Sequence, residues 1–372
     1  MKILIAPDKF KGSLSAREVA ENIAAGLRDV LPDAKIAMVP MADGGEGTAE
    51  VIGDALGGSW VNCAAHAPLG REINAGYAWI EHRKFAVMEM SEAAGMRRLS
   101  GGEYDPLRAN TFGVGEMLLD AMQRGAREIV MGLGGSATND GGFGMARALG
   151  FRFFSGNDHD HEHELKSAIS ELQKLRRIQR PRNSSLPKII AAVDVRNPLL
   201  GKNGATRVFG PQKGASEDKI DILERALTTL ADVVAMDLNV DYRDEPGAGA
   251  AGGLGFGLMS FCGARIRPGF DAVAEAVKLE AKMKDIDLII TGEGSLDAQT
   301  LQGKTPAGVA RLARRLGKRV FAIVGRASED RPVREIFDGV YVLAQPGMSV
   351  KENVARAAEL LRENARELAK KL

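Results

Sequence analysis

The chain has 372 residues, length for two or three domains, with 45 % hydrophobic and 27 % charged residues. A net charge of +1 and 5 % aromatic residues argue against a nucleic-acid or acidic-membrane surface and against base-stacking platforms. Two cysteines, Cys63 and Cys262, are too few for a disulfide framework, and no apolar run has the length of a membrane helix, so a reduced, cytoplasmic setting without a membrane partner is expected.

The first apolar run, "KILIA", breaks at Pro7 and is too short for a signal peptide, so it reads as a strand. "SLSAREVAENIAAGLRDVLP" follows as a helix. Ser15 and Glu18 form a capping box, Leu14 can staple onto Val19, and Val19, Ile23 and Leu27 make one apolar face. "KIAMVPM" is the next strand, which makes a β-α-β unit and a parallel pair.

In the middle, "INAGYAWI" and "KFAVMEM" flank a charged turn and read as a hairpin. "EIVMGL", "FRFF", "KIIAAV" and "ATRVFG" read as strands. "TFGVGEMLLDAMQRG", "EDKIDILERALTTLADVVA" and "FDAVAEAVKLEAKM" read as helices. The polar stretch 155–187 belongs at the surface.

Near the end, "IDLIITG", "KRVFAIVG" and "GVYVLA" are strand-like, "TPAGVARLARRLG" is helical, and a charged helix starts at about Ser349. Joining these strands to the first two gives one five-stranded parallel sheet built from both termini. The expected organisation is α/β in two domains: a discontinuous parallel domain of residues 1–65 and 284–372, and an inserted mixed α/β domain of residues 66–283.

Glycine is in excess: 44 residues, about 12 % against a typical ~7 %. They cluster without a period, and clustered glycine lets a backbone approach something closely. "GLGGSATNDGG" (132–142) follows a strand and precedes a helix, a place that attracts phosphate, with Ser136, Thr138 and Asn139 as added side-chain donors. The P-loop pattern fails, because Ala298 stands where Gly303-Lys304-Thr305 would need its first glycine. A dinucleotide fingerprint half fits at Gly132, Gly134 and Ala137 but lacks its acidic partner on a following strand. A second such spacing, Gly247, Gly249 and Gly252, follows no strand and reads as a closely packed helix start.

Ligands of open parallel sheets lie beyond the carboxyl ends of the strands. Three such ends bring Asp8, Lys9, Lys11 and Ser13, then Asp43 and Glu46, then Glu293, Asp297, Gln299 and Lys304. Singly these are solvated loops; together they make a polar cleft. Asp194 ends an apolar strand and is a cap or a functional carboxylate. Lys213 stands among glycine and proline. His159, His161 and His163 alternate in an acidic loop that suits solvent better than a metal. His66 and His82 show no partner, and no nucleophile–base set is visible. Lysines, open N–H groups and carboxylates without histidine suit phosphoryl transfer better than hydrolysis.

"PDKFKGSLSA", "PMADGGEGT", "GLGGSATNDGG", "DVRNPLLG", "FGPQKGA", "GAGAAGGLGFGL" and "TGEGSLDAQTLQGKTPAGVA" together resemble the type-1 glycerate kinases of bacteria, in order and at family spacing from residue 3 to about 325. The departures are "DHDHEHELKSAI" near residue 160 and "AAVDV" before Asp194. The resemblance implies two α/β domains, one flavodoxin-like, with the active site between them. It also implies an enzyme that uses ATP and Mg²⁺ to phosphorylate D-glycerate in sugar-acid or glyoxylate catabolism, mostly at the 2-hydroxyl and alternatively at the 3-hydroxyl. On that reading Gly134, Gly135, Ser136, Thr138 and Asn139 receive ATP phosphates. Asp194 serves as Mg²⁺ ligand or base, and Lys11 with Asp8 neutralises developing charge. Ser13, Asp43, Glu46, Glu293, Asp297, Gln299 and Lys304 bind glycerate. The alternatives outside this class are a nicotinamide dehydrogenase and a non-catalytic sugar-acid binding protein. Oligomeric state is left open.

Overall fold

The computed structural model describes residues 1–156, 163–182, 185–328, 331–345 and 347–372. The chain forms two units, one of residues 1–56 with 268–372 and one of residues 57–267.

In the first unit the apolar runs become five parallel strands. They lie in the order Gly339–Val342, Arg319–Val324, Leu288–Thr291, Lys2–Ile5, Lys35–Met38. Numbered along the chain this is 2-1-3-4-5, the flavodoxin-like order. Lys2–Ile5 is the pivot, pairing Ile3 with Ile36 on one side and with Leu288 on the other. Ile3, Leu4 and Ile5 are wholly buried, as a central parallel strand requires. The Ala16–Arg28 helix begins with the expected capping box, in which Ser15 Oγ accepts from Glu18 N at 3.2 Å and Glu18 Oε2 accepts from Ser15 N at 2.8 Å. Its Val19, Ile23 and Leu27 are fully buried and share a core with Leu360, Leu361 and Leu368 of the C-terminal helix.

Two helical expectations change in detail. The stretch read as one helix from Phe270 breaks into Gly269–Ala276 and Leu279–Met283, because Lys278 adopts φ +55° between them. The last helix is divided at Arg356 into Val350–Ala355, capped by Ser349, and Ala357–Ala369.

The second unit holds a mixed six-stranded sheet. Its order is Arg265–Pro268, Lys188–Val193, Glu128–Gly132, Phe85–Glu89, Glu72–Ile80, Ser59–His66. Lys188–Val193, Glu128–Gly132 and Phe85–Glu89 run parallel, and the expected hairpin joins Glu72–Ile80 to Phe85–Glu89. Its core is aromatic in part: Phe143 meets Phe153 edge-on at 4.7 Å, and Phe153 meets Phe261 at 5.9 Å.

"ATRVFG" is not a strand. Ala205–Phe209 is a short helix that starts after Gly204 and buries Ala205 and Thr206. A β-branched, aromatic run reads as extended, but here tertiary packing decides. His66 does have a partner: its Nδ1 lies 2.8 Å from Glu116 Oε1, and its N–H donates to Glu116 Oε2 at 2.7 Å. Of the acidic histidine loop, residues 158–162 lie outside the described residues, while His163 and Glu164 form an exposed two-residue strand. Cys63 and Cys262 are buried free thiols. Among the described residues no helix is long and apolar enough to cross a membrane.

Candidate active site

Each unit concentrates polar groups at the carboxyl ends of its parallel strands. In the first unit the Lys2–Ile5 and Leu288–Thr291 strands are neighbours, and chain order reverses direction there. That switch point is where open parallel sheets bind ligands, because the loops leaving the two strands part and open a crevice. Asp8 leaves one strand and Glu293 the other.

Both carboxyls are buried, Asp8 at 7 % exposure and Glu293 at 8 %. Each is held by a threonine that the sequence reading missed. Thr305 Oγ1 donates to Asp8 Oδ2 at 2.6 Å, and Thr300 Oγ1 donates to Glu293 Oε1 at 2.6 Å. Lys9 N donates to Asp8 Oδ1 at 2.7 Å. Burial, and then the negative charge of Asp43, push Asp8 up to about 7. Burial likewise pushes Glu293 up to about 7, against the pull of Thr300 and Lys304 and with help from Asp297 and Asp43. Asp8, Asp43, Glu293, Asp297 and Lys304 therefore share one electrostatic neighbourhood.

The other expected residues of this unit are placed differently. Glu46 is tied to Lys9, whose Nζ donates to the Glu46 carbonyl at 2.6 Å and lies 3.6 Å from its carboxylate. Asp8, Lys9 and Glu46 line a hollow of about 510 Å³ with Ser15, Met41 and Ala42. Lys11 is exposed. Ser13 Oγ makes a long contact, 3.4 Å, to the Val354 carbonyl. The side chain of Gln299 lies outside the described residues.

In the second unit the Glu128–Gly132 strand runs into the glycine loop, and Leu133 N donates to Ala192 O at 3.1 Å on the adjacent strand that leads to Asp194. Asp194 is exposed at that same edge. Glu89, 6 % exposed, ends the strand on the other side, opposite Gly132.

The expectation that a helix N-terminus holds the anion does not survive. The helix after the loop, Phe143–Ala148, is short, and its first N–H groups are already taken. Asp140, wholly buried, accepts from Gly142 N, Gly144 N, Thr111 N and Thr111 Oγ1 at 2.8–3.1 Å. Burial pushes its carboxyl up and those four donors hold it down. Thr111 Oγ1 takes Met145 N at 2.9 Å. The loop itself is what remains open. Among the described residues, the N–H groups of Gly134, Gly135 and Ser136 make no bond to protein, while Ala137 N is fixed to Ala94 O at 2.9 Å. Gly135 is exposed and sits at φ +72°.

Beneath the loop, Thr138 and Asn139 are fully buried. Asn139 Nδ2 donates to Thr206 Oγ1 at 3.0 Å, whereas Thr138 Oγ1, Asn139 Oδ1 and nearby Ser91 Oγ have no protein partner. Orphaned buried polar atoms are costly unless water or a ligand completes them. The "GAGAAGGLG" segment packs against this loop as expected: Gly252, at φ +67°, would place a Cβ 1.9 Å from the Thr138 carbonyl. Lys213, to which the sequence assigned no role, is 2 % exposed and donates to Ser136 Oγ at 2.8 Å and to Thr138 O at 2.6 Å.

Among the described residues no three acidic, histidine or cysteine side chains stand together as a metal site. Asp194 alone could add one oxygen to a hard cation otherwise held by phosphate and water, the usual habit of Mg²⁺.

Comparison with known proteins adds a consistent set of relatives. The model of the "Glycerate kinase family" matches residues 3–372. The glycerate 2-kinase of Escherichia coli K12 is 44 % identical over 334 residues, covering 89 % of this chain and 86 % of that protein. A glycerate kinase of Bacillus subtilis 168 is 40 % identical, over 99 % of this chain and 97 % of that one. A crystal structure from Salmonella typhimurium LT2, assigned as a glycerate kinase 2, superposes with a TM-score of 0.88 at 41 % identity over 100 % of this chain and 98 % of the other.

Proposed function

The chain belongs to the glycerate kinase family, and on that premise we propose that it transfers the terminal phosphoryl group of ATP to the 2-hydroxyl of D-glycerate, giving 2-phosphoglycerate and ADP. The observation that carries the donor side is the trio of open N–H groups at Gly134, Gly135 and Ser136 above unpartnered polar atoms. A polyphosphate offers acceptor oxygens to such groups, as phosphate loops do.

On the acceptor side, glycerate presents one carboxylate and two hydroxyls, matched by Lys304 and by Asp43, Glu293 and Asp297. Asp8 takes the proton as the 2-hydroxyl oxygen bonds to phosphorus and the bridging P–O bond breaks toward ADP. A base works best when its own proton affinity matches the working pH, and Asp8 near 7 meets that condition. Exposed Lys11 adds positive charge for the transferred group. Mg²⁺, when bound, supplies charge neutralisation on the phosphate oxygens, and Asp194 is the residue offered to it. The 2-position follows the names of the Escherichia coli relative and the Salmonella structure. A nicotinamide dinucleotide fits worse, because its pyrophosphate needs the helix N–H groups that Asp140 occupies.

The test is a coupled reaction: protein, Mg²⁺, ATP and D-glycerate with enolase and without phosphoglycerate mutase. ADP accompanied by phosphoenolpyruvate is the expected result. ADP without phosphoenolpyruvate would move the reaction to the 3-hydroxyl, and no ADP would sink the kinase assignment. A second expectation separates donor from acceptor. Ser136→Ala with Thr138→Ala should raise the KM for ATP by roughly tenfold, the worth of one or two lost hydrogen bonds. An unchanged KM for ATP would move the nucleotide off this loop.

A further inference from the structure

The glycine loop carries no lysine or arginine of its own between residues 132 and 142. The cation beneath it comes from a distant part of the chain. Lys213 closes a single 3-10 turn, Pro211–Lys213, that ends at Gly214 with φ +87°. A side chain at Gly214 would meet the Tyr104 carbonyl at 2.7 Å, so the backbone is committed to delivering Lys213 inward. Two of its N–H bonds are spent on Ser136 Oγ and Thr138 O, and neither partner is an anion. Asp140 is the charged group whose field reaches it, and the Asp140 carboxylate is saturated by its own four donors. An ammonium nearly free of water and without a carboxylate in contact is a costly arrangement that a structural role alone does not require.

Resting on the kinase reading above, we infer that Lys213 is the positioning cation of the phosphate loop: it holds Ser136 in the binding conformation from below, and its positive charge is completed when a nucleotide polyphosphate binds above. Burial pushes its amine down to about 7, with Asp140 opposing. The sign follows: above pH 7 the empty protein holds this amine largely neutral, and an incoming polyanion restores its proton. Nucleotide binding at pH 8 is then coupled to proton uptake at Lys213.

The experiment is calorimetric titration of the whole enzyme with Mg·ADP at pH 8 in two buffers of different ionisation enthalpy, for the wild type and Lys213→Met. The wild type should take up most of one proton per ADP. Lys213→Met should bind ADP ~10- to 100-fold more weakly, as expected for a lost charged hydrogen-bond donor, with no uptake and with the KM for glycerate within about twofold. A purely structural lysine would give no buffer dependence in the wild type. That outcome, or a Lys213→Met enzyme that binds ADP normally, overturns the proposal while leaving the kinase reading intact. A wild type that binds no ADP overturns both. Absence of uptake by the wild type overturns the proposal even if Lys213→Met fails to fold. Asp8→Asn and Ser136→Ala should both retain the uptake because the lysine remains, and an uptake lost in Asp8→Asn would assign the proton to Asp8 instead.

Discussion

Replacing Asp8 with asparagine should lower kcat by roughly 10²- to 10⁴-fold, the usual worth of a general base, while leaving the KM for ATP within a few fold. The same substitution should raise the melting temperature at pH 8. Asp8 binds its proton more tightly in the fold, near 7, than in the unfolded chain, near 3.8. A group raised in this way contributes stability that is complete below pH 4 and is lost as pH climbs through 7. Asparagine can still accept from the Lys9 N–H through its Oδ1, with its amide N–H donating to Thr305 Oγ1 in place of the bond that Thr305 gives Asp8, and it has no proton to lose, so that decline should flatten. Activity and stability therefore move in opposite directions, as expected where a strained group serves chemistry. Steady-state kinetics and thermal unfolding at pH 5 and pH 8 check both. A variant with near-normal kcat removes Asp8 as the base, and one less stable than wild type at pH 8 contradicts the assigned cost of its charge.

The second large effect is steric. Gly252→Ala should cost ~3 kcal/mol or more, in the range reserved for backbone clash and strain, and should abolish detectable kinase activity. The new Cβ would lie 1.9 Å from the Thr138 carbonyl and 2.6 Å from Asn139 Cα, in a conformation of φ +67°. It would push the loop away at the carbonyl that Lys213 holds. Gly263→Ala is the control: φ is nearly the same, +63°, and nothing lies within 4 Å. Left-handed strain alone should cost that variant ~1 kcal/mol and leave turnover unchanged. Equal losses in the two variants would show that strain matters and the close approach does not.

The parallel sheet of the first unit was legible because its strands are short, unbroken apolar runs, three of which lead into loops that carry both glycine and acid. Asp8, Asp43 and Glu293 were legible for the same reason, since carboxyl ends of neighbouring strands must share an edge. Thr300 and Thr305 were not, because nothing in their spacing says that a hydroxyl will turn onto a carboxylate. Lys213 and Asp140 were hidden for a stronger reason. Lys213 finds its partners 75 and 77 residues away, and Asp140 draws on Thr111, 29 residues back. The glycine-rich run points to an anion by its composition, but that composition does not show that the N–H groups at the start of its helix are consumed by Asp140. The "ATRVFG" error is local preference losing to position: Thr206 is needed on a helix where its hydroxyl meets Asn139.

The sheet order of the first unit also constrains how the polypeptide can be made. Its pivotal strand, Lys2–Ile5, is synthesised long before one of its two neighbours, Leu288–Thr291, which follows 285 positions later in register. The continuous segment 57–267 is completed first. Chains emerge at about 5–20 residues per second, and domains fold as they become complete. The opening 56 residues must therefore wait tens of seconds with an apolar strand that has only Lys35–Met38 to pair with, while the inserted unit forms its core. Until then the Lys2–Ile5 strand keeps one edge unpaired, and open apolar strand edges are what make incomplete chains prone to aggregation.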